Sequence, residues 1–278
     1  MQLAISTLCC PAWPLPRIAM FAREHGIRGI ELRGLGEEID VTKLPAFNED
    51  LQATLKLLHH GELEIPCLST SVTLVTPAPE RWQQMLDECQ RTARLAEQTH
   101  TRFIRVFGGA VPKGITRDEA LVLARRHLRQ LVKVAGAFTA RVLVETHDDW
   151  STSPELLELM REFDPEHEVG VIWDIEHTFR HGESPADALA ALRRLIAHVH
   201  VKDSLRAGER NVPKLLGEGE LPVRECLRVL RDARYDGWIS LETEKRWHAD
   251  APEPEQSIPH FARFMRECAS GATLERST

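Results

Sequence analysis

Four residues able to bind a metal stand at the ends of four successive apolar runs. Glu145 follows Val142-Leu143-Val144, Asp174 follows Val171-Ile172-Trp173, His200 follows His198-Val199, and Glu242 follows Ile239-Ser240-Leu241. Three carboxylates and one imidazole make a hard, oxygen-rich donor set, suited to one divalent ion such as Mn²⁺, Mg²⁺ or Co²⁺, with Zn²⁺ as the remaining candidate. Each residue alone has an ordinary explanation, since a carboxylate at the end of a strand often caps the next helix or pairs with Lys or Arg. Four in succession are harder to explain that way. Three negative charges gathered in a buried place would be strongly disfavoured without a cation, because like carboxylates at close range cannot all stay ionised.

These residues must be positioned by a regular scaffold. Short apolar, β-branched runs at 3–6, 29–32, 65–69, 103–107, 141–145, 169–174, 196–203 and 238–242 alternate with longer segments of helical period, such as ERWQQMLDECQRTARLAEQ after the third run. Unbroken apolar strands alternating with helices indicate a parallel sheet covered by helices. Eight such units predict an α/β fold, a single-domain (β/α)₈ TIM barrel over residues 1–270, with 271–278 as a frayed tail. A doubly wound open sheet uses the same alternation, but no GxGxxG follows the first strand and no GxxxxGK[ST] occurs, so its nucleotide-binding forms lose support. Thr116, Ser153 before Pro154, and Ser184 before Pro185 are placed to cap the helices they precede. In a TIM barrel the chemistry lies at the C-terminal ends of the strands, where all four candidate ligands stand.

Composition narrows the partners. With 278 residues, 42% of them apolar, the chain can bury a large core, and its formal charge of -7 would repel a phosphate backbone, so nucleic acid is not expected. No stretch approaches the roughly 20 apolar residues of a membrane span, and the opening MQLAISTLCC has no export signature. The six cysteines lack CxxC spacing and read as reduced, mostly buried thiols, so the expected location is cytoplasmic.

Glu145, Asp174 with His177 three residues on, the run HVHVKD at 198–203, and GWISLE at 237–242 resemble the xylose isomerase-like TIM-barrel superfamily, the sugar phosphate isomerases and epimerases whose AP endonuclease branch shares the barrel. The resemblance implies one metal held by a Glu, Asp, His, Glu set, which falls on the four residues above. Period-two geometry puts His198 and His200 on one face. The family ligand matches His200, leaving His198 as a packed interior histidine. His177 and Arg206 fall where related ketose epimerases place a His and an Arg against substrate hydroxyls. Those enzymes carry a second Glu six residues after the first ligand, where this chain has Ser151, preceded by His147-Asp148-Asp149-Trp150.

The expected reaction is proton abstraction alpha to a carbonyl through a metal-stabilised enediolate, with Glu145 and Glu242 facing one another across the substrate carbon as the two bases of an isomerase or epimerase. A metal-bound carboxylate is a weakened base, so His147 is an alternative proton carrier, or a group that holds a metal ligand in place. Lys202 and Arg105 are further candidates for substrate contact, each with an internal ion pair as the competing role, as for Glu31, Arg33 and Asp203. Glu218 lies in a GEG loop, and Trp13, Trp150, Trp173 and Trp247 are candidates to wall the pocket. The rival readings are a dehydratase on a keto-cyclitol or dehydroshikimate-like ring, a DNA-repair phosphodiesterase opposed by the acidic charge, and a non-catalytic sugar-binding barrel. The expected partner is a small carbohydrate or cyclitol, with a homo-oligomer suggested by the fold class alone.

Overall fold

The computed structural model describes residues 1–270, so the tail expected at 271–278 lies outside the described residues. The strands β1 (Gln2–Ser6), β2 (Gly29–Glu31), β3 (Cys67–Thr73), β4 (Phe103–Phe107), β5 (Arg141–Glu145), β6 (Val169–Asp174), β7 (Ile196–Val201) and β10 (Trp238–Leu241) form one parallel sheet in the order β2-β1-β10-β7-β6-β5-β4-β3. The two ends of that order meet. The Ile30 amide donates to the Glu64 carbonyl (2.9 Å), Leu32 to Cys67 (3.2 Å) and Ser69 to Leu32 (2.9 Å), closing the sheet into the expected barrel. The observed β3 starts later than the run 65–69 suggests because Pro66 has no amide to give to a ladder, so regular pairing begins at Cys67.

Helices α1 (Leu15–Glu24), α2 (Leu51–His60), α3 (Pro79–Thr99), α4 (Arg117–Gly136), α5 (Ser153–Met160), α6 (Ile175–Arg180), α7 (Pro185–Leu192), α8 (Val223–Asp232) and α9 (Pro254–Ser270) connect and cover the strands. Thr116 and Glu119 form a capping box on α4, and the Ser184 hydroxyl accepts from the Asp187 amide on α7, as their positions suggest. The cap of α5 is Thr152 rather than Ser153, with the Thr152 amide donating to Glu155 at 2.9 Å; Ser153 instead donates to Glu183. Among the described residues no helix is long and apolar enough to cross a membrane, and all six cysteines are free.

Two insertions bear on the site. The seventh run does not continue to 203: β7 stops at Val201, and an antiparallel hairpin of β8 (Asp203–Ala207) and β9 (Arg210–Lys214) follows, turning at Gly208 with φ +65°. The short helix α6 follows β6 directly, its first turn capped by the Asp174 carboxylate, which accepts from the Glu176 amide at 2.9 Å. Inside the barrel, Cys67, Leu143 and Ile172 form a small apolar cluster with Phe103 and Ala197, separate from the main core between sheet and helices. Buried polar side chains, including Glu31, Ser69, Arg105, His198 and Ser240, lie between that cluster and the strand ends.

Candidate metal centre

Each candidate ligand is carried by the C-terminal end of a neighbouring strand. Glu145 ends β5, Asp174 ends β6, His200 is next to last in β7, and Glu242 follows β10; these strands are adjacent in the sheet, with Asp174 in register with His200 and His200 with Ser240. Parallel pairing therefore delivers one ligand per strand to one place. One donor atom from each of the four lies within 4.8 Å of every other, and all four side chains are buried. His200 Nδ1 stands 3.1 Å from Glu145 Oε1 and 3.2 Å from Glu242 Oε2. Glu145 Oε2 and Asp174 Oδ2 are buried oxygens that accept no hydrogen bond. A converging O₃N donor set fits a hard divalent cation.

The charge balance differs from the one expected from sequence, because protein cations also face the three carboxylates. Lys202 Nζ lies 2.8 Å from Asp174 Oδ2, 3.2 Å from Glu242 Oε2 and 3.3 Å from Glu244 Oε1, and Arg105 Nε lies 3.3 Å from Glu145 Oε2. Electrostatic need alone thus does not demand a metal; the convergence of one donor atom from each of the four residues carries the fit. Burial disfavours the charge on His200, yet Glu242, Glu31 and Glu145 outweigh it and hold its imidazole well above the usual range. Burial pushes the Asp174 carboxyl up to about 7, with Lys202 opposing and Glu242 and Glu145 reinforcing the push. Burial raises Glu242 as well, but His200 and Lys202 more than reverse that and leave it well below the carboxylate range.

Beside these ligands opens a polar cavity of about 330 Å³, lined among others by Glu242, Lys202, His147, His177, Glu244 and Arg210. The rings of His147 and His177 lie 4.4 Å apart. Burial, then the Lys202 and His147 charges, drive His177 down to about 3, and its Nε2 has no hydrogen-bond partner. Burial lowers His147 too, but the neighbouring Asp148 carboxylate and the Glu145 charge raise it overall, so the two imidazoles favour different protonation states. His147 owes its position to a tight turn: Trp150 N–H donates to the His147 carbonyl (3.0 Å), Asp148 takes a left-handed φ of +51°, and the Trp150 indole is clamped against Gly108 with its Nε1 donating to the Gly109 carbonyl (2.9 Å).

Other sequence candidates lie elsewhere. Arg206 is exposed on the hairpin and does not line the cavity; Arg210 and Asn211 of the same hairpin do. Arg105 is fully buried, paired with Glu145 and stacked on Phe107 at 3.9 Å, outside the cavity lining. Glu145 also lies behind that lining, and it meets Glu242 at His200 Nδ1 rather than across an opening. Ser151 is buried, with its hydroxyl donating to the Asp148 carbonyl at 2.8 Å. None of the four tryptophans lines the cavity: Trp150 and Trp173 are fully buried, Trp13 packs edge-on against Phe21, and Trp247 is exposed. Arg33 donates to the Ile39 carbonyl and the Ser71 hydroxyl instead of forming an ion pair. Glu218 is exposed, while Asp203 accepts from the Gly217 and Gly219 amides at 2.7 and 3.0 Å and thereby holds the GEG loop. Glu244 and His248 also line the cavity; a period of two from Glu242 points to Glu244, whereas nothing in the sequence marks His248.

Several known proteins resemble this chain. An uncharacterised protein of Methanocaldococcus jannaschii is 24% identical over 199 residues, 68% of this chain and 66% of its own length. The inosose dehydratase of Clostridium botulinum (strain Eklund 17B / Type B) is 26% identical over 148 residues, 46% of this chain. The match spans about half, 48%, of that dehydratase. Among solved structures, the probable 3-DHS dehydratase AsbF of Bacillus anthracis superposes with a TM-score of 0.80 at 23% identity, covering 96% of this chain and 99% of its own. The IOLI protein, solved with a zinc atom, gives a TM-score of 0.79 at 15% identity (98% and 97% coverage). The 3-keto-D-glucoside 4-epimerase YcjR of E. coli gives 0.76 at 18% identity (96% and 100%). Two of these relatives are named as dehydratases and one as an epimerase. Residues 20–268 match the family described as xylose isomerase-like TIM barrel, and with the closed barrel in view, the chain belongs to that family.

Proposed function

We propose that this chain is a metal-dependent dehydratase that removes the proton beside a carbonyl of a polyhydroxylated ring and expels a neighbouring hydroxyl as water, acting on a keto-cyclitol or a dehydroshikimate-like compound. The observation that carries this reading is the make-up of the cavity wall: one ligand carboxylate, Glu242, together with the Lys202 ammonium and the imidazoles of His147 and His177. Glu145, Asp174, His200 and Glu242 are the residues that would hold the cation, which when bound supplies Lewis acidity to a carbonyl and stabilises charge developing there.

The remaining chemistry belongs to the side chains. His177 Nε2, buried and without a partner, is placed to take the proton from carbon. The electron pair of the broken C–H bond becomes the new C=C bond, and the C–O bond of the adjacent hydroxyl breaks. His147 or Lys202 gives that oxygen a proton, so one proton is taken, one is given, and water leaves. Arg210 and Asn211 would set the orientation of the ring from the hairpin side. Named dehydratases among the relatives support the same direction.

The second reading is the isomerase or epimerase, favoured by the epimerase among the structural neighbours. It needs Glu145 to reach the substrate as a second base. Incubating the Mn²⁺-loaded protein with inososes, dehydroshikimate and ketoses in deuterated water, followed by ¹H NMR, separates the readings. Loss of water is expected, with appearance of a conjugated enone from an inosose or of an aromatic ring from dehydroshikimate. Deuterium incorporation without loss of water would establish the epimerase instead, and binding without either change would leave a non-catalytic sugar-binding barrel.

A further inference from the structure

Beneath the ligand cluster, a second set of buried groups has no role in the chemistry above. Glu31, at the end of β2, is fully buried and reaches across the barrel interior to β7, three strands away in the sheet. His200 Nε2 lies 3.0 Å from both of its carboxylate oxygens, His198 Nε2 lies 2.9 Å from Oε2, and the Ser69 hydroxyl donates to Oε1 at 2.7 Å. Three donors thus converge on two oxygens. A carboxylate can only accept, so both imidazoles must present N–H at Nε2. His198 Nδ1, buried and without a partner, accords with that: a proton there would leave an unpaired N–H and turn a lone pair toward Glu31.

We propose that Glu31 is a positioning residue that fixes the ring orientation of His200 and keeps a proton on Nε2, so that a cation displacing the Nδ1 proton would meet the Nδ1 lone pair at the point where Glu145 and Glu242 converge. The inference rests on the metal-dependent reading, since it assigns His200 Nδ1 to the cation. His198 and Ser69 occupy the remaining acceptor directions of Glu31 and keep its carboxylate from rotating away. His198 is therefore a support for the support rather than inert packing, and its Nε2–H is the feature to preserve. A neutral imidazole without this anchor could offer either nitrogen, and only one of them faces the other three ligands.

The test uses Zn²⁺, which is diamagnetic, and needs no turnover. Long-range ¹⁵N–¹H correlation spectra of the zinc-loaded protein are expected to show His200 with metal at Nδ1 and a proton at Nε2. Zinc affinity, measured against a chromophoric chelator, should fall about 10- to 100-fold in Glu31→Gln. His198→Gln, which keeps a donor toward Glu31, should change it far less. Circular dichroism and thermal melts identify a Glu31 variant that has lost its fold, in which case the spectrum of the unmutated protein decides alone. Zinc on Nε2 of His200, or two zinc ions sharing that ring, would overturn the proposal, as would a folded Glu31→Gln with unchanged affinity and an unchanged His200 spectrum. An unmutated protein that binds no zinc, Mn²⁺ or Mg²⁺ sinks the metal-dependent reading itself, a different outcome.

Discussion

Lys202 illustrates how single side chains at this centre serve several neighbours at once. Its ammonium touches carboxylates from β6 and from the segment after β10, and those carboxylates hold it charged well above the ordinary lysine range against the penalty of burial. Removing one partner of such a cluster leaves an uncompensated buried charge. Glu145→Gln and Glu242→Gln are each expected to lower turnover by at least about 10³-fold and to reduce bound metal, checked by steady-state rates beside elemental analysis of the same samples. Full activity in either variant would remove that residue from the machinery. His177→Gln should lower kcat by about 10²- to 10⁴-fold with metal content unchanged, since this ring faces the cavity without belonging to the converging donor set. Arg206→Ala should leave kcat and KM nearly unaltered; a large rise in KM would restore the substrate contact that the family resemblance implies.

Elements matter here chiefly by holding loops still. The turn that carries His147 is pinned because Trp150 packs onto a backbone with no Cβ at Gly108; a methyl group there would overlap the indole. Gly108→Ala should therefore destabilise the fold by about 1–3 kcal/mol and depress activity beyond the loss of folded protein, read from urea melts and from rates corrected for the folded fraction. On the other side of the barrel Asp40 caps a short helical turn at Val41–Lys43, accepts from the Thr42 amide and hydroxyl, and pairs with Arg91 at 2.8 Å. Burial raises the Asp40 carboxyl, but the Thr42 and Arg91 bonds outweigh it and lower it below the usual aspartate range. A depressed carboxyl contributes stability that is present above its unfolded value and is lost as pH falls through the folded one. Asp40→Asn should accordingly cost about 1 kcal/mol near neutral pH, and the gap should close below about pH 4, as measured by denaturant titrations across pH.

For the molecule as a whole, the proposed ion ties together four strands that are far apart in sequence, so its binding should be visible in global stability. A ligand that binds only the folded state at 100 times its Kd adds about 2.7 kcal/mol, which for a chain of this size corresponds to a Tm increase of roughly 5 °C. Melts with Mn²⁺ and with a chelator should differ by that amount. Asp174→Asn, which retains a cap for α6 while losing a ligand charge, should abolish the difference. An identical Tm with and without every divalent ion tried would argue against a resident metal.

The barrel was legible from the chain alone because its physical cause is local. Strand and helix periods, cap residues and the absence of phosphate-loop glycines are properties of short segments, and eight of them in alternation leave few ways to bury every face. The four candidate ligands were legible for a related reason: in a parallel barrel each strand end points to one mouth, so a donor at the end of a run such as Val142–Val144 is delivered there by register. What remained hidden depends on distances across the barrel or on loop paths. Nothing in GIEL announces that Glu31 will meet His200, since the two are 169 residues apart and touch only after closure brings β2 within reach of β7. Arg210 replaces Arg206 at the cavity because a hairpin follows β7, and Glu145 sits behind Glu242 because both turn toward one nitrogen. Those are outcomes of packing in three dimensions, where a side chain's neighbours are set by the whole sheet and not by its own segment.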